Sequence, residues 1–297
     1  MALRALLDVP APAKINLFLH VVGKRTDGYH LLQSLFVLLD WQDTLHFELR
    51  SDGRLQRHDL GVALPLDDLV LRAARALQAA TGTTLGADIS VAKSLPWGAG
   101  LGGGSSDAAS TLLALNRLWR LALPLQKLMD IGEKLGADVP FFLGGRNALV
   151  EGIGEILTPV EVPRGWYALV KPPSSIETRA IFTHPLLRVR DPAADILAGS
   201  FADARAGRFP EAFFEGFGCN DLQPPAREVC PEVAQAEQML QSRFGNSRMT
   251  GSGSVVFARA GTALEPVSTL DQATLAPGWI GRMCRSLDRH PLEGWAG

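Results

Sequence analysis

The sequence predicts an α+β fold in two domains, and three observations carry that expectation. Strand-period and helix-period segments both occur but do not alternate strictly, which argues against a doubly wound sheet. The segment Thr158-Pro159-Val160-Glu161-Val162-Pro163-Arg164-Gly165 is the best linker, dividing the chain into residues 1–160 and 161–297. A length of 297 residues suffices for one large domain or two ordinary ones.

The first strand is predicted over Ala13–Val22, where Ile15, Leu17, Leu19 and Val21 alternate with Lys14, Asn16, Phe18 and His20. That period of two sets Lys14 and Asn16 on the face opposite the aliphatic stripe. Thr26-Asp27-Gly28 reads as a turn, and Leu45, Phe47 and Leu49 mark a second strand. Asp67-Asp68 precede the helical set Leu69, Ala73, Ala76, Leu77 and Ala80, with acids where the positive end of a helix dipole favours them. Ala87–Ala92 is a short strand. Ser105-Ser106 offer a cap to a helix carrying Ala108, Leu112, Leu115 and Trp119. A second helix follows through Leu125, Leu128, Met129 and Leu135, with Gly136 as its C-cap. Ala148–Val150, Trp166–Lys171 and Val255–Ala258 read as strands, and 210–217 and 231–244 as helices.

Composition narrows the function. Hydrophobic residues make up 46% and charged residues 20%, the usage of an ordinary globular chain rather than a disordered one. Lys and Arg number 29 against 31 Asp and Glu, so no global field favours nucleic acid or acidic lipid. The longest apolar run, Leu35–Leu39, is far below the roughly 20 residues that span a bilayer. No signal-peptide pattern opens the chain, and Cys219, Cys230 and Cys284 are few and lack metal spacing; together these predict reduced, buried thiols and a cytoplasmic protein. His20, His46, His58, His184 and His290 likewise show no ligand spacing, so no protein-bound metal is predicted.

Glycine is enriched and clustered, five residues in seven, within Pro96-Trp97-Gly98-Ala99-Gly100-Leu101-Gly102-Gly103-Gly104-Ser105-Ser106-Asp107. A flexible backbone running into a helix N-terminus makes a site for phosphate, and two hydroxyls add donors. The alternative is a plain surface loop with a serine cap. Gly98 to Gly103 matches G-x-G-x-x-G, so a nicotinamide- or flavin-dependent oxidoreductase is a competing reading. Its context is wrong, because a second helix follows where a strand ending in an acid should stand. Walker A, protein-kinase and nucleophile-elbow signatures are absent.

The run Pro96-x-x-x-Gly100-Leu101-Gly102-Gly103-Gly104-Ser105-Ser106 resembles the ATP loop of the GHMP kinases, the superfamily of galactokinase, homoserine kinase and mevalonate kinase. Pro12-Ala13-Lys14-Ile15-Asn16-Leu17, Asp27-Gly28-Tyr29-His30, Gly136-Ala137-Asp138-Val139-Pro140-Phe141-Phe142 and Thr250-Gly251-Ser252-Gly253 are similar to one branch of it, in the expected order. The resemblance implies a two-domain GHMP kinase fold with the active site in the interdomain cleft. It implies ATP as co-substrate with Mg²⁺, and a small-molecule acceptor, cytidine diphosphate methylerythritol. A monomer or weak homodimer is expected, with neither nucleic acid nor membrane as partner.

The same resemblance implies roles for individual residues. Asp138 is either the cap of the helix it opens or the general base for the attacking hydroxyl, and the resemblance favours the base. Lys14 is either a solvated strand lysine or the cation that stabilises the transferring phosphoryl group and keeps Asp138 ionised. The nucleotide side comprises Lys93, Pro96, Gly98, Gly100, Leu101, Gly102, Gly103, Gly104, Ser105 and Ser106. Lys93 is otherwise an ordinary strand-end lysine. On the substrate side stand Asn16, Tyr29, His30, Thr178, Phe182, Gly251, Ser252 and Gly253, with aromatic rings suited to stacking on cytosine. Phe182 reads unaided as a core residue. Asp68 departs from the family, which commonly has Asn there; it keeps the cap and lacks an amide donor. A non-catalytic nucleotide-binding regulator is the third reading, opposed by the presence of both Lys14 and Asp138.

Overall fold

A computed structural model describes residues 3–190, 209, 214, 216, 218–262 and 264–296. Two long strands, β1 (Ala5–Lys24) and β2 (His30–Arg50), pair antiparallel around the predicted turn at Asp27-Gly28. β2 is much longer than its predicted stretch at Leu45–Leu49, and the reason is burial on both faces. Leu35, Val37, Leu39 and Trp41 enter one core, while Phe36, Leu38, Leu45 and Phe47 enter another. A strand covered on both sides carries no polar alternation to read.

Around that pair lie β3 (Leu55–Asp59), β4 (Gly86–Ala92), β5 (Ala148–Glu151), β6 (Ile156–Pro159), β7 (Gly165–Lys171), β8 (Ser247–Met249), β9 (Val256–Thr262) and β10 (Ile280–Leu287). The sheet runs β3-β4-β2-β10-β7-β9-β8, with β1 on β2 and β6 reached through β5. β10 pairs with β2 through Ser286 and Leu287 and with β7 through Ile280–Arg285, so the last strand joins the two halves of the chain. The segment read as a linker is tied down rather than loose: Val160 N–H donates to Asn147 O at 2.9 Å, and Val160 and Val162 are buried.

Helix α1 (Leu69–Thr81) begins where its acids predict, with Asp68 accepting from Leu71 N–H at 3.1 Å and Gly82 closing it in the left-handed region. Helix α2 (Gly103–Leu118) corrects the expected cap. It starts at Gly103 with Gly102 at the N-cap, φ +71°, and no side chain caps it, so Ser105 and Ser106 lie inside the first turns. Helix α3 (Leu125–Gly132) stops at Gly132, short of the expected end at Leu135 and Gly136. Gly132 packs tightly under Val139 and Leu143, where the chain turns into α4 (Val139–Gly144). A short helix, α5 (Thr178–Phe182), and the helices Gln223–Val229 and Glu232–Phe244 complete the described fold. The helix expected over 210–217 lies outside the described residues except for Phe214, which is helical and buried, and Gly216. Cys230 and Cys284 are buried as expected. Cys219 is exposed instead, its thiol accepting from Arg190 Nη2 at 2.8 Å.

Candidate active site

The glycine loop is fastened on both sides by backbone hydrogen bonds. Lys14 N–H donates to Leu101 O at 2.9 Å, while Ser254 and Val255 N–H donate to Gly98 and Ala99 O at 3.2 and 3.3 Å. Two of its glycines are required by close approach as well as by left-handed backbone. A Cβ on Gly100 (φ +74°) would stand 2.1 Å from Thr250 O, and one on Gly102 would meet the Phe142 ring at 3.0 Å and Lys14 Cγ at 3.2 Å. Gly103, Gly104 and Ser105 line a cavity of about 1080 Å³ with the first turn of α2, whose N–H groups have no intrahelical acceptor.

Beneath the loop, the Lys93 ammonium is held between the carboxylates of Asp43 and Asp107. Asp43 also accepts from Ser94 N–H at 2.6 Å and Leu95 N–H at 2.7 Å, fixing the chain just before Pro96. Burial pushes the Asp107 carboxyl up to about 7 against the pull of Lys93, and Asp43 adds repulsion. Burial disfavours the Lys93 ammonium, but the two carboxylates outweigh it and raise its pKa. Lys93 borders the cavity, and its ammonium is paired with both carboxylates of this buried cluster.

Lys14 is not solvated. Its side chain is 4% exposed, and its Nζ donates to Asn16 Oδ1 at 2.7 Å, lies 3.5 Å from Asp138 Oδ2 and sits 4.2 Å from the Phe36 ring centre. Burial lowers its pKa and Asp138 opposes that shift by charge and hydrogen bonding. Asp138 occupies the N-cap position of α4, but its carboxylate caps nothing and remains 30% exposed toward the cavity. The helix-cap reading is therefore removed.

Asn16 joins the pieces. Its Oδ1 accepts from Lys14 Nζ, from Thr250 Oγ1 at 3.1 Å and from Gly251 N–H at 2.9 Å, and its Nδ2 donates to Ser34 Oγ at 2.9 Å. Fully engaged and 1% exposed, Asn16 positions its neighbours. At the far end of the cavity the His30 and Phe182 rings stack at 5.4 Å and 27°, Tyr29 is largely exposed, and Thr178 Oγ1 lies 2.8 Å from Ser252 Oγ. Burial and the charge of Lys24 lower the His30 pKa, which favours the neutral imidazole.

The cavity thus collects Lys14, Asn16, Tyr29, His30, Asp138, Thr178, Phe182, Gly251, Ser252 and Gly253 with the loop from Lys93 to Ser105. Of the expected site residues only Ser106 stands outside it, fully buried. Sequence reasoning missed Ser34, Phe36, Asp43 and Asp107, and the part that the Thr250 side chain plays. Thr250 stands in the quoted Thr-Gly-Ser-Gly motif, but nothing local shows that its hydroxyl meets Asn16. The arrangement offers free N–H groups at a helix N-terminus and sets a cation–carboxylate pair in the same cavity, which suits phosphoryl transfer to a hydroxyl. The oxidoreductase reading is not supported: α2 leads into α3 rather than into a parallel strand.

Two family models match the chain, "GHMP kinases N terminal domain" over residues 68–146 and "GHMP kinases C terminal" over 207–272. A 4-diphosphocytidyl-2-C-methyl-D-erythritol kinase of Methylibium petroleiphilum is 60% identical over 298 residues, covering 100% of both chains. One of Albidiferax ferrireducens is 54% identical, covering 99% of this chain and 96% of its own. A crystal structure of 4-(cytidine 5'-diphospho)-2C-methyl-D-erythritol kinase superposes with TM-score 0.69 at 36% identity, covering 87% of this chain and 90% of that one. Homoserine kinase from Cytophaga hutchinsonii, at 19% identity and TM-score 0.70 over 96% and 95%, shares the fold.

Proposed function

The chain belongs to the GHMP kinase family, and from that premise we propose that it transfers the γ-phosphoryl group of ATP to the 2-hydroxyl of 4-diphosphocytidyl-2-C-methyl-D-erythritol. The products are ADP and the 2-phosphate, in isoprenoid precursor biosynthesis. The observation that carries this reading is the Lys14–Asp138 pair, 3.5 Å apart, beside the glycine loop in one cavity.

Asp138 accepts the proton of the attacking hydroxyl and aims its oxygen. Phosphoryl transfer is largely dissociative and the acceptor is a crowded tertiary alcohol, so alignment contributes more than early deprotonation. The Lys14 ammonium offsets charge that grows on the transferring oxygens, and Asn16 holds that ammonium in place. The first turn of α2 receives the ATP phosphates, and the His30–Phe182 end receives the cytosine.

Among the described residues no group of three or more His, Cys, Asp or Glu side chains is placed to hold a metal. Mg²⁺ would accompany ATP, held chiefly by phosphate oxygens and water, where it neutralises phosphate charge. No helix among the described residues is long and apolar enough to cross a membrane, and no cysteine is in a disulfide. We propose a cytoplasmic monomer or weak homodimer, as the family resemblance implies.

The test is coupled turnover. Purified protein should consume ATP only when the cytidine diphosphate alcohol is present, with ³¹P NMR showing a new phosphate ester on it. Equal ATP consumption without that alcohol, or none with it, retires the proposal.

A further inference from the structure

Among the described residues, four Lys or Arg side chains border the cavity: Lys14, Arg72, Lys93 and Arg179. Lys14 is committed to Asp138 and Asn16, and Lys93 to Asp43 and Asp107. Arg72 stands on the first turn of α1, beside the wall of Leu64, Leu69 and Val70 that flanks the glycine loop on the nucleotide side. Arg179 alone stands at the other end. It is exposed and has no carboxylate within 4 Å among the described residues.

Its neighbours on α5 are already engaged with that end of the site. Thr178 bonds to Ser252, and Phe182 stacks on His30. Asp27, which also lines this end, is paired with Arg25 at 2.7 Å. Lys24 lies near enough to His30 to act on it by charge but does not line the cavity, so Arg179 is the uncommitted cation of the lining that a diphosphate entering here meets.

We propose that Arg179 binds the diphosphate of the acceptor substrate and thereby sets the enzyme's preference for a nucleoside-diphosphate alcohol over an uncharged one. The inference rests on the kinase reading above. Arg is suited to the role because its planar fork meets two phosphate oxygens at once, and each charge-assisted bond is about twice as strong as a neutral one.

The experiment separates this inference from that reading by measuring binding directly. With the ATP site blocked by a saturating non-hydrolysable ATP analogue, calorimetry compares cytidine 5′-diphosphate with cytidine on the wild type, Arg179→Gln and Arg179→Lys. Wild type should bind the diphosphate at least about tenfold more tightly than cytidine, the scale of a hydrogen bond to a charged group. Arg179→Gln should lose that factor while its cytidine affinity holds, and Arg179→Lys should recover part of it. In turnover, Arg179→Gln should raise the KM for the diphosphate substrate about tenfold and leave the KM for ATP within twofold. An unchanged diphosphate-to-cytidine ratio in Arg179→Gln overturns the inference. Wild type that binds both ligands but does not phosphorylate the substrate overturns the kinase reading instead. Arg179 is exposed, so both substitutions should leave the fold intact, and a shared thermal midpoint across the three proteins verifies it.

Discussion

At the scale of single residues, the Lys14–Asp138 pair makes two sharp predictions. Asp138→Asn should lower kcat by ~10²–10⁴, the usual contribution of a general base, with little change in the KM for ATP. Lys14→Ala should also lower kcat strongly, and the double variant should lose less than the product of the two losses, because both groups act on one transferring group. Steady-state kinetics of the two single variants and the double settle this; near-normal turnover in Asp138→Asn removes it from the chemistry. The second prediction concerns pH. Burial lowers the Lys14 pKa from the ordinary 10.5, so its charge is lost below the usual lysine range as pH rises. The kcat profile should show an alkaline limb there. Asp138 raises the Lys14 pKa, so Asp138→Asn should move that limb still lower. A limb that stays in place contradicts the coupling. Because the folded state binds fewer protons than the unfolded one between the lowered pKa and 10.5, Lys14 makes stability rise with pH across that window.

At the scale of elements, the glycine loop shows why like residues in one motif are not equivalent. Gly100→Ala would drive a Cβ onto Thr250 O in a left-handed backbone, so the thermal midpoint should fall by roughly 5 °C or more. Gly104→Ala meets only Leu69 at 3.4 Å inside a helix and should leave the midpoint unchanged or slightly raised. Thermal denaturation of the two variants side by side is the check, and equal losses would show the loop to be uniformly tolerant. Gly102→Val strikes Phe142 and Lys14 Cγ as well as blocking backbone approach to phosphate, so it should depress kcat as well as ATP binding. The loop and the Lys14-x-Asn16 strand were legible because both signals are local: a cluster of small residues before a helix, and a polar pair opposite an aliphatic stripe. Asp43 was not, since its partners Lys93–Leu95 lie some fifty positions away. The middle of β2 was hidden for another reason, being apolar toward two cores. The Ser105 and Ser106 caps misled because a left-handed glycine begins the helix without any side-chain acceptor.

For the whole molecule, we propose that residues 1–160 and 161–297 form the two domains, with the cavity between the loops that each contributes. β10 makes them mechanically one sheet, since it pairs with both β2 and β7. Calorimetry should therefore give a single unfolding transition whose van't Hoff and calorimetric enthalpies agree. Truncation before Ile280 should abolish that single transition along with activity. Two separated peaks in the intact chain would show the halves to be thermally independent.

The bonds that Asn16 makes to Thr250 and Gly251 span 234 and 235 positions. During synthesis, Lys14 leaves the ribosome long before the loop that completes its surroundings. At ~5–20 residues per second the interval is roughly 12–50 s. Over that time Lys14 and Asn16 lack the partners that make their burial tolerable. A nascent or truncated chain that stops short of Thr250 and Gly251 therefore holds Lys14 and Asn16 without the contacts that order them.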